Sequence, residues 1–195
     1  MITNRTMVFQ TQSFTEVLKY TDFRSYTITA VFILFSVALP WVLHQFQLAG
    51  ATFLPMHIFI LIAGFTYGWR AGLIVGICTP IASYAISGMP LLAVLPQITI
   101  ELSVYGIAAG ILHEKFQFRT IWSLLGAMLA GRIALFLVML ITYLMTGASH
   151  GLLGIEANPA SASWSVIKQG WPGIIIQLAL IPAVIAIARK YYKTK

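Results

Sequence analysis

Apolar residues run in six blocks along this chain, roughly 26–43, 54–69, 71–87, 91–112, 121–147 and 167–188, with polar residues gathered between them. A helix needs about 20 apolar residues to cross the hydrocarbon core of a bilayer, and four of the blocks come close. The second and third are shorter, and only Gly68-Trp69-Arg70 divides them. They read either as one bent pair dipping through the membrane or as two short, steep spans. The pattern predicts an all-α integral membrane protein. Residues 26–195 form one six-helix transmembrane domain, and residues 1–25 form a polar segment ahead of it.

The basic residues sharpen this picture because they fall on alternate gaps. Arg5, Lys19 and Arg24 precede the first block. Arg70 lies in the second gap, Lys115 and Arg119 in the fourth, and Arg189, Lys190, Lys193 and Lys195 in the tail. The gaps 44–53, 88–90 and 148–166 carry none. Loops rich in Lys and Arg stay on the cytoplasmic side. Both termini are therefore expected in the cytosol, and the three uncharged gaps outside. Merging the second and third blocks would break this alternation, which favours two spans. The two exceptions are Arg132, inside the fifth block, and Lys168, at the outer mouth of the sixth.

Composition excludes several classes. With 59% hydrophobic and 9% charged residues, a soluble monomer is not expected. The net charge of +7 is accounted for by cytoplasmic loops, so it does not point to nucleic acid. The single Cys78 allows no intramolecular disulfide and no cysteine cluster for a metal. Residues 1–25 lack the apolar centre of a signal peptide. Val8, Phe9, Phe14, Val17 and Leu18 suit an amphipathic helix on the inner surface, and disorder is the alternative.

Small residues recur at helix-packing intervals: Gly64, Gly68, Gly72 and Gly76, then Gly106 and Gly110, then Gly126 and Ala130. Such spacing lets helices approach closely in lipid, either within the bundle or against a partner helix. The three outer connections lie beside Pro55, Pro90 and Pro159, where a mouth is expected. The longest, 148–166, is rich in small and turn-forming residues.

Glu101 and Arg132 are the most informative side chains. Counted at about 1.5 Å per residue from the ends of their blocks, both come out mid-membrane. An unpaired charge there costs several kcal/mol, so both should face the interior and pair. They are either a structural lock or contacts for a polar ligand. Gln97, Glu101 and Tyr105 stand four residues apart and form a polar stripe on one helix face. Gln177, inside the sixth block, needs a buried partner. Trp164, Lys168 and Trp171 cluster at the outer end of that block. They are membrane anchors or an aromatic wall for a planar ligand, with Asn158 and Lys168 as polar contacts. His57 heads the second block, as a helix-end hydrogen bonder or a ligand contact. His44 and His150 are also external, but no histidine spacing suggests a metal site. No phosphate-binding loop and no H-E-x-x-H is present. Energy for an active process must come from a partner or an ion gradient.

Several stretches resemble the substrate-binding (S) components of energy-coupling-factor vitamin importers. They are Phe53-Leu54-Pro55-Met56-His57-Ile58 through Ala63-Gly64-Phe65, Gly76-x3-Pro80, and Ser87-Gly88-Met89-Pro90. Glu101-Leu102-x2-Tyr105-Gly106-x3-Gly110, Ala130-Gly131-Arg132 and the run from Pro172-Gly173 to Gln177-Leu178 complete the likeness, which spans about 50–185. The resemblance implies a multi-pass protein of a prokaryotic plasma membrane, with six helices and cytosolic termini. It implies an outward-opening pocket for a water-soluble vitamin or vitamin precursor, and no catalytic activity or cofactor. It also implies a complex with a membrane coupling subunit (T component) and two ATPases. Two departures stand out. Many such proteins carry Ala-x3-Ala on the first helix to contact the coupling subunit, whereas Ala30 and Ala38 are eight apart here with Leu34 between. Nickel and cobalt members use an N-terminal Met-His, whereas Met56-His57 is internal, so a metal substrate is not expected.

The ligand contacts expected on this reading are His57, Gln97, Glu101, Tyr105, Arg132, Asn158, Trp164, Lys168, Trp171 and Gln177. Pyridoxine, pantothenate, riboflavin, folate, and cobalamin or its α-ribazole precursor all stay open as ligands. The alternatives are a small ion-coupled secondary carrier or membrane scaffold subunit, and a lipid-modifying membrane enzyme with Glu101 and Arg132 as catalytic groups.

Overall fold

The computed structural model describes residues 23–46, 50–147, 149–151, 154–156 and 158–193. The amphipathic helix considered for 8–18 lies outside them. Helices α1 (Phe23–Gln45), α3 (Pro55–Ser87), α4 (Leu95–Glu114), α5 (Thr120–Thr146) and α6 (Pro159–Lys193) carry the chain, with a single turn, α2 (Gly50–Phe53), between the first two. All but α2 are long and apolar enough to cross a membrane. A short antiparallel pair, β1 (Ser149–Gly151) and β2 (Gly154–Glu156), joins α5 to α6, with Ser149 opposite Glu156.

Local chemistry sets the helix ends. Pro55 opens α3, where its missing N–H is no loss. Gly88 and Gly147 close α3 and α5 in the left-handed conformation, donating their N–H groups to the Tyr84 and Tyr143 carbonyls. Asn158 caps α6, its Oδ1 accepting from the Ala160 N–H at 2.9 Å. Helix α6 thus begins at Pro159, eight residues ahead of the apolar block, so half of the expected connection 148–166 is helical. Several hydroxyls inside the helices donate one turn back, as from Thr29 to the Ser25 carbonyl and from Ser103 to the Thr99 carbonyl. That leaves them satisfied where no water reaches.

The second and third apolar blocks, expected as two helices, form the single element α3, which breaks at Gly68. There φ is 82° and ψ 177°, a backbone region open essentially to glycine alone. The chain reverses at this point. A methyl placed on Gly64 would stand 2.7 Å from the Gly106 carbonyl oxygen, and one on Gly72 would overlap the same peptide from the other arm. One turn further along α4, Ile60 and Val75 meet Leu102. The two arms therefore run in opposite directions along α4. Gly68→Ala is expected to cost about 1–3 kcal/mol, read as a lower melting midpoint in detergent. An unchanged midpoint would show that the reversal does not depend on this residue.

The main core joins the first arm of α3 to α4, α5 and α6 through Leu61, Phe65, Tyr105, Leu124, Met128 and Ile181. Leu135 and Met139 of α5 meet Ala162 and Val166 of α6 in a second cluster. Helix α1 packs on α3, with Phe35 stacked on Phe59 and Phe32 edge-on to Tyr67. The outward faces are apolar too, with Leu34, Leu129, Leu144 and Ile187 all exposed. That is the pattern of a bundle solvated by lipid.

Candidate functional site

The site is built on α4. Glu101 and Tyr105 share one of its faces, a turn apart, and both are buried. Helix α5 brings Arg132 to Glu101, with Nη1 2.9 Å from Oε1. Its neighbour Gly131 lies against the Tyr105 ring, where any side chain would collide. The first turn of α3 brings His57. Its ring meets Tyr105 edge-on at 4.8 Å between centroids, and its Nε2 lies 3.8 Å from Glu101 Oε1. The opposite charges of Glu101 and Arg132 offset one another where either alone would be costly.

The head of α3 is pinned from α6. Leu54 adopts left-handed angles, and its carbonyl accepts from the His57 N–H at 3.1 Å and, at the limit of hydrogen bonding, from Gln177 Nε2 at 3.5 Å. Gly173 of α6 lies against the Phe53 carbonyl with no room for a methyl. Gln177 thus finds the buried partner its position demanded and fixes the turn that carries His57.

A cavity of about 470 Å³ opens beside this trio. His57, Glu101 and Arg132 line it, with Ile98 and Leu102 from α4 and Val166 from α6. Pro40, Trp41 and Gln45 form a wall from α1. Leu54, Pro55 and Met56 lead into it from the head of α3, and Ser83, Ser87, Met89 and Pro90 close it from the end of α3 and the turn beyond. Both ends of the folded-back α3 therefore meet at this cavity. Ser83 Oγ donates to the Met89 carbonyl at 2.8 Å and anchors that turn. The lining is mostly apolar, with ionisable groups from three elements at one place, the usual make-up of a small-molecule pocket.

Of the ten residues singled out in the sequence, His57, Glu101 and Arg132 converge on the cavity. Tyr105 lies directly behind them. Gln97 is buried a turn away from Glu101, with its Nε2 unpartnered. Gln177 supports Leu54 from outside the cavity. Asn158 is exposed and spent on the α6 cap. Trp164 and Trp171 stand exposed on the far side of α6, and Lys168 rests over the Trp164 ring at 5.9 Å. The cavity residues not singled out are chiefly Trp41, Gln45, Ser83 and Val166. Trp41 with Gln45 and Ser83 with Ser87 stand four residues apart, so the spacing that revealed the Glu101 stripe marks them as well.

The family model for the substrate-specific component of ECF transporters matches residues 24–185. No curated protein and no solved structure matches the chain. The matched region takes in α1 through most of α6 and hence every element that lines the cavity. An apolar bundle with a charged, ligand-sized cavity is what a substrate-specific membrane component requires, and this chain belongs to that family, the ECF transporter substrate-specific components.

Proposed function

We propose that this protein captures a water-soluble vitamin or vitamin precursor from outside the cell and delivers it inward through an ATPase-coupled complex. The arms of α3 on either side of Gly68 count as two spans, giving six, with both termini in the cytosol. The charge alternation supports this orientation. It puts the cavity, at the head of α3 and beside the turn at 88–90, on the outer face. Arg70, Lys115 and Arg119 then lie at the inner face. His57, Glu101 and Arg132 are the principal ligand contacts on this reading, with Gln97 and Tyr105 behind them. A coupling subunit and two ATPases supply the energy, because the chain carries no phosphate-binding loop. The observation that carries the proposal is a buried Glu101–Arg132 ion pair with His57 beside it, opening onto an apolar cavity of ligand size.

Two measurements test it. In a Cys78→Ala background, Leu92→Cys should react with an impermeant maleimide in intact cells, and Phe116→Cys only after permeabilisation. Both positions are exposed, at opposite ends of α4. The reverse pattern would invert the proposed orientation. Mass spectrometry of protein purified in detergent should find one small organic molecule bound, in a complex that retains two nucleotide-binding subunits under mild extraction. Substrate movement in vesicles without any ATPase subunit would favour an ion-coupled carrier instead.

A further inference from the structure

Resting on the proposal that the cavity binds a small molecule, we infer that its ligand is a monocarboxylate with an apolar body, whose carboxylate docks on Arg132 and His57. Arg132 approaches Glu101 through Nη1 alone. Its Nε and Nη2 are buried and meet no partner in hydrogen-bonding geometry, although the Tyr105 side chain lies within interaction range of the same guanidinium and Nη2 packs toward Gly170 of α6. Those two atoms form one edge of the planar fork. That edge presents two parallel N–H donors at the spacing of carboxylate oxygens.

His57 adds a second, independent sign. It is only 6% exposed, it lines the cavity, and neither ring nitrogen has a hydrogen-bonding partner. Buried polar groups in native proteins are nearly always satisfied, so an unpartnered imidazole beside an unpartnered guanidinium edge is a place kept for a ligand. The groups facing His57 are Glu101 and Tyr105 from α4 and Arg132 from α5. Glu101 already offsets the Arg132 charge, and a guanidinium donates only, so its open edge wants acceptors, while His57 offers one donor and one acceptor as a neutral ring. A ligand amine would meet the guanidinium as a like charge. A carboxylate satisfies the Arg132 edge with both oxygens and leaves His57 a third contact. The remaining lining, chiefly Trp41, Met56, Met89, Ile98 and Leu102, takes an apolar body. The cavity lies toward the lower end of the range for drug-sized ligands, about 300–1,000 Å³.

The test pairs acids with neutral analogues on the full chain in detergent. Nicotinate with nicotinamide, pantothenate with pantothenol, and biotin with biotinamide are titrated by calorimetry, and the co-purified molecule is identified by mass spectrometry. The expected result is a carboxylic acid as the tightest ligand, bound at least about 100-fold more tightly than its neutral analogue, because that analogue leaves buried donors unpaired. Arg132→Lys keeps the charge Glu101 needs but loses the fork. It should weaken the acid about 10- to 100-fold and the neutral analogue, which can use only one arm of the fork, by less. A tightest or co-purified ligand without a carboxylate overturns the inference and leaves the capture function intact, and so does undiminished acid binding by Arg132→Lys. Absence of any bound molecule overturns both.

Discussion

Glu101→Gln is expected to lower the stability of the purified protein by about 3–5 kcal/mol, a fall of about 10 °C in melting midpoint for a chain of this size. The substitution keeps the shape of the side chain and removes only its charge. Arg132 then stands buried between α4 and α5 without Glu101, its ion-pair partner among the described residues. Breaking one side of a buried pair is far more costly than never having had it. The double variant Glu101→Gln/Arg132→Gln should therefore melt closer to wild type than the single variant does. It should still bind no ligand, because the fork is gone. A single variant that melts like wild type, or a double variant that melts lower still, would show that the pair is not what joins these helices.

Gly106→Val should prevent the bundle from forming in its present shape. Gly106 faces the Gly72 peptide so closely that a side-chain carbon on either would overlap backbone atoms of the other, and Gly64 crowds the same turn from the opposite arm. Overpacking usually costs about 1–3 kcal/mol. Here the obstacle is the Gly72 main chain, so nothing can rotate away. The expected readout is loss of the monodisperse peak in detergent gel filtration. Gly126→Ala is the matched control. Its new carbon would meet only Leu112 Cδ1, at 2.6 Å, the mobile end of a side chain. A loss of about 1 kcal/mol or less is expected there. Equal behaviour of the two variants would refute the role given to the α3–α4 contact.

Much of this arrangement is legible in the sequence. Counting residues from the block ends put Glu101 and Arg132 at one depth, and the structure joins them. That worked because an isolated charge in lipid has few alternatives to the nearest opposite one. His57 was legible as the first polar residue after Pro55. The glycine spacing of α3 and α4 left packing and partner docking open, and the structure uses Gly64, Gly72, Gly76, Gly106 and Gly110 for packing.

The α6 cluster stands away from the cavity for a reason of helical phase. Val166, Gly170, Gly173 and Gln177 follow at intervals of four, three and four and face inward. Trp164, Lys168 and Trp171 lie roughly half a turn away from them. The two glycines marked the packed face, but the tryptophans drew attention first. Trp41 and Gln45 carry the same four-residue spacing, but what they face was hidden. Nothing in the sequence said that the last turn of α1 would lean over the head of α3.

The ion pair joins residues 31 positions apart, and that separation has a meaning for biogenesis. At a synthesis rate of about 5–20 residues per second, α4 leaves the ribosome several seconds ahead of the segment that neutralises it. For that interval its carboxylate lacks the guanidinium it pairs with in the folded protein. The insertion machinery must shelter α4 until Arg132 arrives. Slowing translation between codons 101 and 132 should therefore lower the yield of inserted protein.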